Sequence, residues 1–367
     1  MPADPRYYAD YLQLERLLDT QQLASAERGI PAHDEMLFIV VHQAFELWFK
    51  QILWELDAVM TTMAGDQVAA RDLSVAVARL RRIATIQPLL LRQLEVLETM
   101  TPLDFLDFRD DLVPASGFQS VQFRLIENRL GVDPATRLRI KGAPYHARLS
   151  ASDRERAERS QQEPSLRDHV DRWLARTPFL RLGDFEFWHA YRAAVDQMLR
   201  REHDIITSNP NLDAEARAQQ LADHDDTVGS FAALFDRERH ADLIRRGARQ
   251  LSYDSFLAAL LITLYRDEPM FHLPFELLVA LIDIDEGFTN WRYRHALLVQ
   301  RMIGDKIGTG GTSGHVYLAK GAERHRAFGD LFALPTFCIP RSALPVLPPP
   351  VREQLGFRWE RPAGSAS

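Results

Sequence analysis

Along most of the chain, apolar residues recur every three or four positions, the spacing of helices that bury one side. No run alternates apolar and polar residues as a half-buried strand would. The first periodic stretch, Tyr7 to Leu18, sets Tyr8, Tyr11, Leu12 and Leu18 on neighbouring turns. From His33 to about Met63 the pattern predicts a long helix. Its Leu37, Phe38, Val41, Phe45, Trp48, Phe49 and Ile52 form so broad an apolar face that the helix is expected to be largely buried. Glu46 and Lys50, one turn apart, are expected to pair on its wet edge. A second long amphipathic helix is predicted over Arg71 to Thr99, with Leu80, Ile83, Ile86, Leu90, Leu94 and Leu97 inward and Pro88 placed to kink it. Thr101-Pro102 starts a short helix, and Gly117 to Leu130 reads as another, stopped by Gly131.

Ala147 to Glu163 is highly charged and lacks a core stripe, which predicts an exposed helix or loop. Helical patterns resume from Ser165 to Leu264, with aromatic bulk from Trp173, Phe185, Phe187, Trp188 and Tyr191. Phe275 to Ile303 is strongly helical and runs into a glycine-rich loop. Beyond Leu334 the prolines at 335, 340, 345 and 348–350 predict an extended tail. The reading is an all-α fold: one large helical domain over 1–345 and a Pro-rich, flexible tail over 346–367, with a small helical subdomain over 132–250 as the alternative organisation.

Composition narrows the function classes. A chain of 367 residues that is 46% hydrophobic has material for a sizeable core. Its formal charge of −7 argues against a nonspecific nucleic-acid binder, which needs a basic face. Cys338 is the single cysteine, so internal disulfides and cysteine-based metal sites are excluded. Residues 1–20 have no apolar leader core, and the longest apolar run, Phe256 to Tyr265, is too short to span a bilayer. The expectation is a cytoplasmic protein with neither a nucleic-acid nor a membrane partner.

Four features carry candidate chemistry. His42 lies on the apolar face of the long helix, between Phe38 and Phe45. The commoner reading of such a residue is a core imidazole bonded to a backbone carbonyl. The other is a neutral ring kept to accept a hydrogen bond or face a metal. His295 sits on a second apolar stripe with Trp291, Leu298 and Met302. Lacking a second ligand one turn away, it suits the single axial position of a haem better than a zinc site. Its flanking Arg292 and Arg294 serve equally as anion ligands or as ordinary helix surface. The GTGGTSG loop (308–314) has no P-loop lysine, and reads as a connector or as a lid whose Thr309 and Ser313 offer hydroxyls. Arg109, amid Asp104, Asp107, Asp110 and Asp111, is commonly a surface ion-pair partner; alternatively its planar fork clamps a substrate carboxylate, with Phe105 and Phe108 as an apolar wall.

Three segments, HDEMLFIVVHQAFELWFKQILWELD (33–57), LETMTPLDFLDFRDDLVPASGFQSVQFRLIENRLG (97–131) and WRYRHALLVQRMIGDKIGTGGTSG (291–314), resemble the tryptophan 2,3-dioxygenase family. The YYADYLQLERLL start and the FGDLFALPTFCIPR stretch also fit, so the likeness covers most of 5–345 and is weak only around 132–250. It implies an all-helical haem b enzyme, ferrous when active, that uses O2 to open the indole ring of L-tryptophan and give N-formyl-L-kynurenine, the first step of the kynurenine pathway. On the same resemblance, His295 is the proximal iron ligand and His42 the distal histidine facing the indole N–H. Phe38 packs on the substrate ring, Arg109 clamps the carboxylate and Thr309 contacts the ammonium group. Ser116 lies near the haem edge. Tyr8, Tyr11 and Leu12 match residues that reach a neighbouring subunit's pocket in a homotetramer. Phe105 stands where some members carry a tyrosine that assists the clamp, and Thr312 replaces a serine of the usual loop; the first bears on affinity and the second on lid closure.

Overall fold

The computed structural model describes residues 6–134, 137, 149–177, 186–304 and 325–356. Among these, all regular structure is helical, as the periodicity predicts. In chain order the helices are α1 (Tyr8–Leu12), α2 (Leu14–Leu18), α3 (Ala24–Glu27), α4 (His33–Met63), α5 (Ala70–Leu97), α6 (Pro102–Arg109), α7 (Val121–Leu130), α8 (Ala151–Gln162), α9 (Leu166–Ala175), α10 (Phe187–Ser208), α11 (Ala214–Leu234), α12 (Arg237–Arg245), α13 (Tyr253–Leu264), α14 (Pro269–Ile303) and α15 (Pro349–Leu355).

Local chemistry sets most boundaries. Thr101 and Asp104 form a reciprocal capping box at the start of α6, and Pro102 sits at a position whose N–H needs no helical partner. Gly131 ends α7 in the left-handed region (φ 98°), with its N–H on the carbonyls of Glu127 and Asn128. The predicted helix from Gly117 is two pieces: a 3₁₀ turn over Gly117–Gln119, then α7, because Ser120 takes an extended conformation and caps Phe123 N–H. The N-terminal stretch is likewise broken, at Gln13, which adopts φ 52° between α1 and α2. The charged segment predicted as exposed helix or loop is helical over Ala151–Gln162 (α8), where Ala157 and Ser160 alone are buried. The extended tail expected beyond Leu334 is partly helical. Gly329–Phe337 and Arg341–Ala343 are 3₁₀, and the triple proline opens α15 rather than preventing it, since proline is tolerated in a first helical turn.

The chain forms two compact units. Unit one comprises Met1–Asp57, Arg82–Pro164 and Glu286–Arg326; unit two comprises Ala58–Arg81, Ser165–Asp285 and Ala327–Ser367. In unit one an aromatic spine links α4, α7 and α14. Phe49 lies 5.5 Å from Phe123, Phe123 5.0 Å from Trp291, and Trp291 5.9 Å from Phe45. In unit two the almost wholly apolar α13 is buried from Ser255 to Ile262. Phe256 meets Phe337, and Phe187 stacks on Tyr191, whose hydroxyl donates to the Phe337 carbonyl. Asp330 accepts from the N–H groups of Gln250 and Leu251, and Asp285 from those of Ala327 and Phe328, so buried carboxylates satisfy irregular backbone there. Among the described helices α4 alone is long and apolar enough by length and composition to cross a membrane. Its buried positions, Val41, Phe45, Phe49 and Ile52, follow the one-sided spacing of a core helix.

Candidate functional site

Unit one forms an open-mouthed cavity of about 290 Å³ between α4, the end of α5, α6, the 117–124 segment and α14. Of the site residues expected from the resemblance, Phe38, His42, Phe105, Arg109 and His295 line it. Helical spacing explains the grouping. Phe38, His42, Phe45 and Phe49 are successive turns of one face of α4, while Trp291, His295, Leu298 and Met302 are one face of α14.

His42 donates from Nδ1 to the Phe38 carbonyl at 2.7 Å. A carbonyl only accepts, so the neutral ring keeps its proton on Nδ1 and leaves Nε2 as an acceptor. Burial lowers the His42 pKa below 6.5, against smaller opposing effects from the Phe38 carbonyl and Glu46. The two alternatives for His42 thus meet in one residue, which is bonded to a backbone carbonyl and faces a cavity. The Phe38 ring lies 4.0 Å from the imidazole and continues into Phe105 and Phe108, at 5.9 and 5.5 Å. His295 stacks on Trp291 with centroids 5.1 Å apart. Burial, with repulsion from His42 added, lowers its pKa to about 4. Both imidazoles are therefore neutral at physiological pH, and His295 hydrogen-bonds no described residue.

Arg109 is half-buried at the end of α6. Glu46 departs from its expected pairing with Lys50: it lines the cavity, and Gln122 donates Nε2 to both its carbonyl and its carboxylate at 2.8 Å. Ser116 is not on the cavity wall. It caps the 3₁₀ turn whose Gly117 and Phe118 are, accepting from Phe118 N–H at 3.4 Å. Tyr8, Tyr11 and Leu12 are exposed and do not line this cavity. Thr309, Thr312 and the rest of the glycine loop lie outside the described residues.

One group on the wall was missed by sequence reasoning. Glu127 is fully buried between Arg124 (2.9 Å) and Arg292 (3.0 Å), with His325 Nδ1 at 3.5 Å. Burial pushes its carboxyl up, but Arg124, His325, Arg292 and Arg137 outweigh that and hold it well below the usual carboxylate range. Arg292, read as either anion ligand or helix surface, is buried in this group, while Arg294 pairs with Glu98 at 2.6 Å. The available signal was an acidic residue set among Phe123, Ile126 and Leu130 on the buried side of α7. Within this buried group two guanidinium groups, Arg124 and Arg292, meet the one carboxylate of Glu127. His325 Nε2 and Trp291 Nε1 are buried there without a hydrogen-bond partner among the described residues.

This donor set fits a haem: a neutral imidazole with a lone pair, apolar aromatic walls, and a buried basic group suited to carboxylates. Among the described residues no cluster of three or more His, Cys, Asp or Glu could hold a metal ion without such a macrocycle. Comparison with known proteins agrees. A family model described as tryptophan 2,3-dioxygenase matches residues 3–338. A tryptophan 2,3-dioxygenase of Bdellovibrio bacteriovorus is 50% identical over 359 residues, covering 98% of this chain and 100% of that one. The Dictyostelium discoideum protein of that name is 45% identical, covering 96% of this chain and 88% of its own length, and a Danio rerio tryptophan 2,3-dioxygenase B is 46% identical, covering 94% and 85%. A family match over residues 3–338 and identities of 45–50% over nearly the whole length show that the chain belongs to the tryptophan 2,3-dioxygenase family.

Proposed function

We propose that this chain binds one haem b per subunit in the cavity of unit one and, with the iron ferrous, inserts both atoms of O2 across the indole C2–C3 bond of L-tryptophan, releasing N-formyl-L-kynurenine. The observation that carries this reading is the pair of neutral imidazoles, His42 and His295, on one apolar cavity that Arg109 also lines. The atoms balance without a reductant: C2–C3 breaks and each carbon takes one oxygen.

When bound, the haem supplies the electron density that makes O2 reactive toward an electron-rich indole. The protein's residues position the substrate and keep water out. His295 would hold the iron through the ring nitrogen that burial keeps unprotonated, and Trp291 fixes the plane of that ring. Arg124 and Arg292, braced by Glu127, would meet the carboxylates of the macrocycle, and Ser116 would sit at its edge. His42 Nε2 accepts the indole N–H, a task open to it because Nδ1 is committed to Phe38. Phe38 and Phe105 wall the indole. Arg109 takes the amino-acid carboxylate through its fork, and Thr309 the ammonium group. Phe105 in place of a tyrosine removes one hydroxyl from the carboxylate end, which weakens binding without touching the iron ligand.

The assembly is a homotetramer in which Tyr8, Tyr11 and Leu12 complete a neighbouring subunit's site. In support, those rings are exposed on the single chain, and α4 leaves Val40, Leu47 and Trp54 exposed at seven-residue spacing, one stripe of the helix. A cytoplasmic location suits a chain whose one cysteine, Cys338, is free.

The test is a mass spectrum of the product from haem-loaded, reduced protein given L-tryptophan and labelled O2. Two labelled oxygens in formylkynurenine are expected. A single labelled oxygen would place the protein among haem monooxygenases. No product, despite a haem spectrum that responds to tryptophan, would make it a binder without turnover.

A further inference from the structure

The segment that carries Arg109 is gripped from outside the cavity by one side chain. Arg28 places Nε 2.9 Å and Nη2 2.7 Å from Asp111 Oδ2, and donates from Nη2 to the Asp107 carbonyl at 2.8 Å. These two acceptors stand two residues either side of Arg109, so a single guanidinium spans the turn on which that side chain is mounted. Arg28 in turn ends α3, and α3 is tied to the first turn of α4. Glu35 is buried and accepts from Ala24 N–H (2.8 Å), Ser25 N–H (3.0 Å) and the Ser25 hydroxyl, while Ser25 Oγ accepts from Ala32 N–H at 2.8 Å. One turn beyond Glu35 come Phe38 and then His42. The five-residue segment Ala24–Arg28 therefore braces the turn bearing Arg109 against the first turn of the helix bearing His42, through hydrogen bonds and one ion pair.

We infer that Arg28 is a positioning residue for the substrate carboxylate: through Asp111 and the Asp107 carbonyl it holds Arg109 at the distance from His42 that an amino acid with an indole side chain requires. The inference rests on the reading of Arg109 as the carboxylate clamp. Arg28 touches neither the cavity nor the haem-side residues, and its side chain is half in solvent while that of Asp111 is largely covered, so losing the pair costs the fold about 1 kcal/mol at most. Its effect falls on the geometry of the clamp, where displacement of a positioning group by a fraction of an ångström weakens binding.

The experiment is steady-state kinetics on the haem-loaded enzyme for Arg28→Met, Arg109→Ala and the double variant, with the haem absorbance spectrum and melting temperature of each. For Arg28→Met the expected result is a KM for L-tryptophan raised on the order of 5-fold, the upper end for such an ion pair, with kcat, haem spectrum and melting temperature kept. In the Arg109→Ala background the same substitution should add nothing, since the group it positions is gone. A charge exchange, Arg28→Asp with Asp111→Arg, should recover part of the lost affinity. An unchanged KM in Arg28→Met, or a rise that persists in full without Arg109, overturns the positioning role. If Arg109→Ala itself leaves KM unchanged, the clamp reading fails, and that outcome is distinct from a failure of Arg28 alone.

Discussion

His42 and His295 show how far a single residue's chemistry depends on what surrounds it. Both are imidazoles on apolar helical faces, and burial pushes both pKa values down from 6.5, that of His295 to about 4. For His42 as the proposed acceptor of the indole N–H, the useful form is the neutral one, with Nε2 free to accept. Lowering the pH through its pKa puts a proton on that nitrogen and removes the acceptor. Because burial depresses the pKa, this loss comes at a pH below 6.5. The pH profile of kcat/KM should therefore fall on the acid side with a midpoint below 6.5, since kcat/KM reports the free enzyme. A midpoint above 6.5 would contradict a buried neutral His42. The companion residue Arg109, amid four aspartates, reads from its neighbours first as a surface ion-pair partner and only alternatively as a carboxylate clamp; its position on the cavity wall comes from where α6 ends.

Elements behave differently, because their boundaries follow local rules. The capping box at Thr101, the left-handed Gly131 and the apolar stripes of α4 and α5 are properties of neighbouring residues, and the sequence pattern anticipates them. Where elements meet, the pattern is silent. Gly287 on α14 faces Gln87 of α5 so closely that a Cβ there would stand 2.2 Å from Gln87 Oε1. Gln87 is itself buried, so it has little room to withdraw. Gly287→Ala should gain up to about 1 kcal/mol in helix propensity but incur about 1–3 kcal/mol of overpacking, for a net loss of order 1 kcal/mol. Combined with Gln87→Ala, the same substitution should turn neutral or stabilising relative to Gln87→Ala alone. Denaturant unfolding of the four proteins measures this, and a Gly287→Ala that is stabilising on its own would show that the helices tolerate the extra methyl. The failed expectation of a Glu46–Lys50 pair has the same origin: spacing along one helix put them within reach, but Gln122 from α7 engages Glu46 instead.

At the scale of the whole molecule, several large aromatic side chains stand exposed on the single chain. Trp54 is 74% exposed, Tyr8 75% and Tyr11 68%. In the proposed homotetramer these exposed aromatic side chains would be covered. Light scattering should give the mass of a tetramer of 42.0 kDa chains. Trp54→Glu should reduce that mass, since it sets a charge in the Val40–Leu47–Trp54 stripe, at its most exposed position. Tyr8→Ala with Tyr11→Ala should raise KM for L-tryptophan in the assembled enzyme while leaving the haem spectrum unchanged. An unaltered mass in Trp54→Glu would remove the stripe from the interface, and an unaltered KM in the tyrosine variant would remove the N-terminus from the site.

By itself the sequence determined the all-helical class, the long helices that carry both histidines and, through three extended motifs, the family. Those are short-range properties: periodicity, capping and residue identity at fixed spacing. Only the tertiary structure decided that α4, α6 and α14 bring Phe38, His42, Arg109 and His295 to one cavity, that Arg124 and Arg292 share the buried Glu127, and that Arg28 grips the turn bearing Arg109. Arg28 and Asp111 are 83 residues apart, and Arg292 and Glu127 are 165 apart. No local pattern encodes such pairs. They exist because burying the apolar faces of the helices leaves a few polar groups inside, and each of these must find its partner wherever the packing places it.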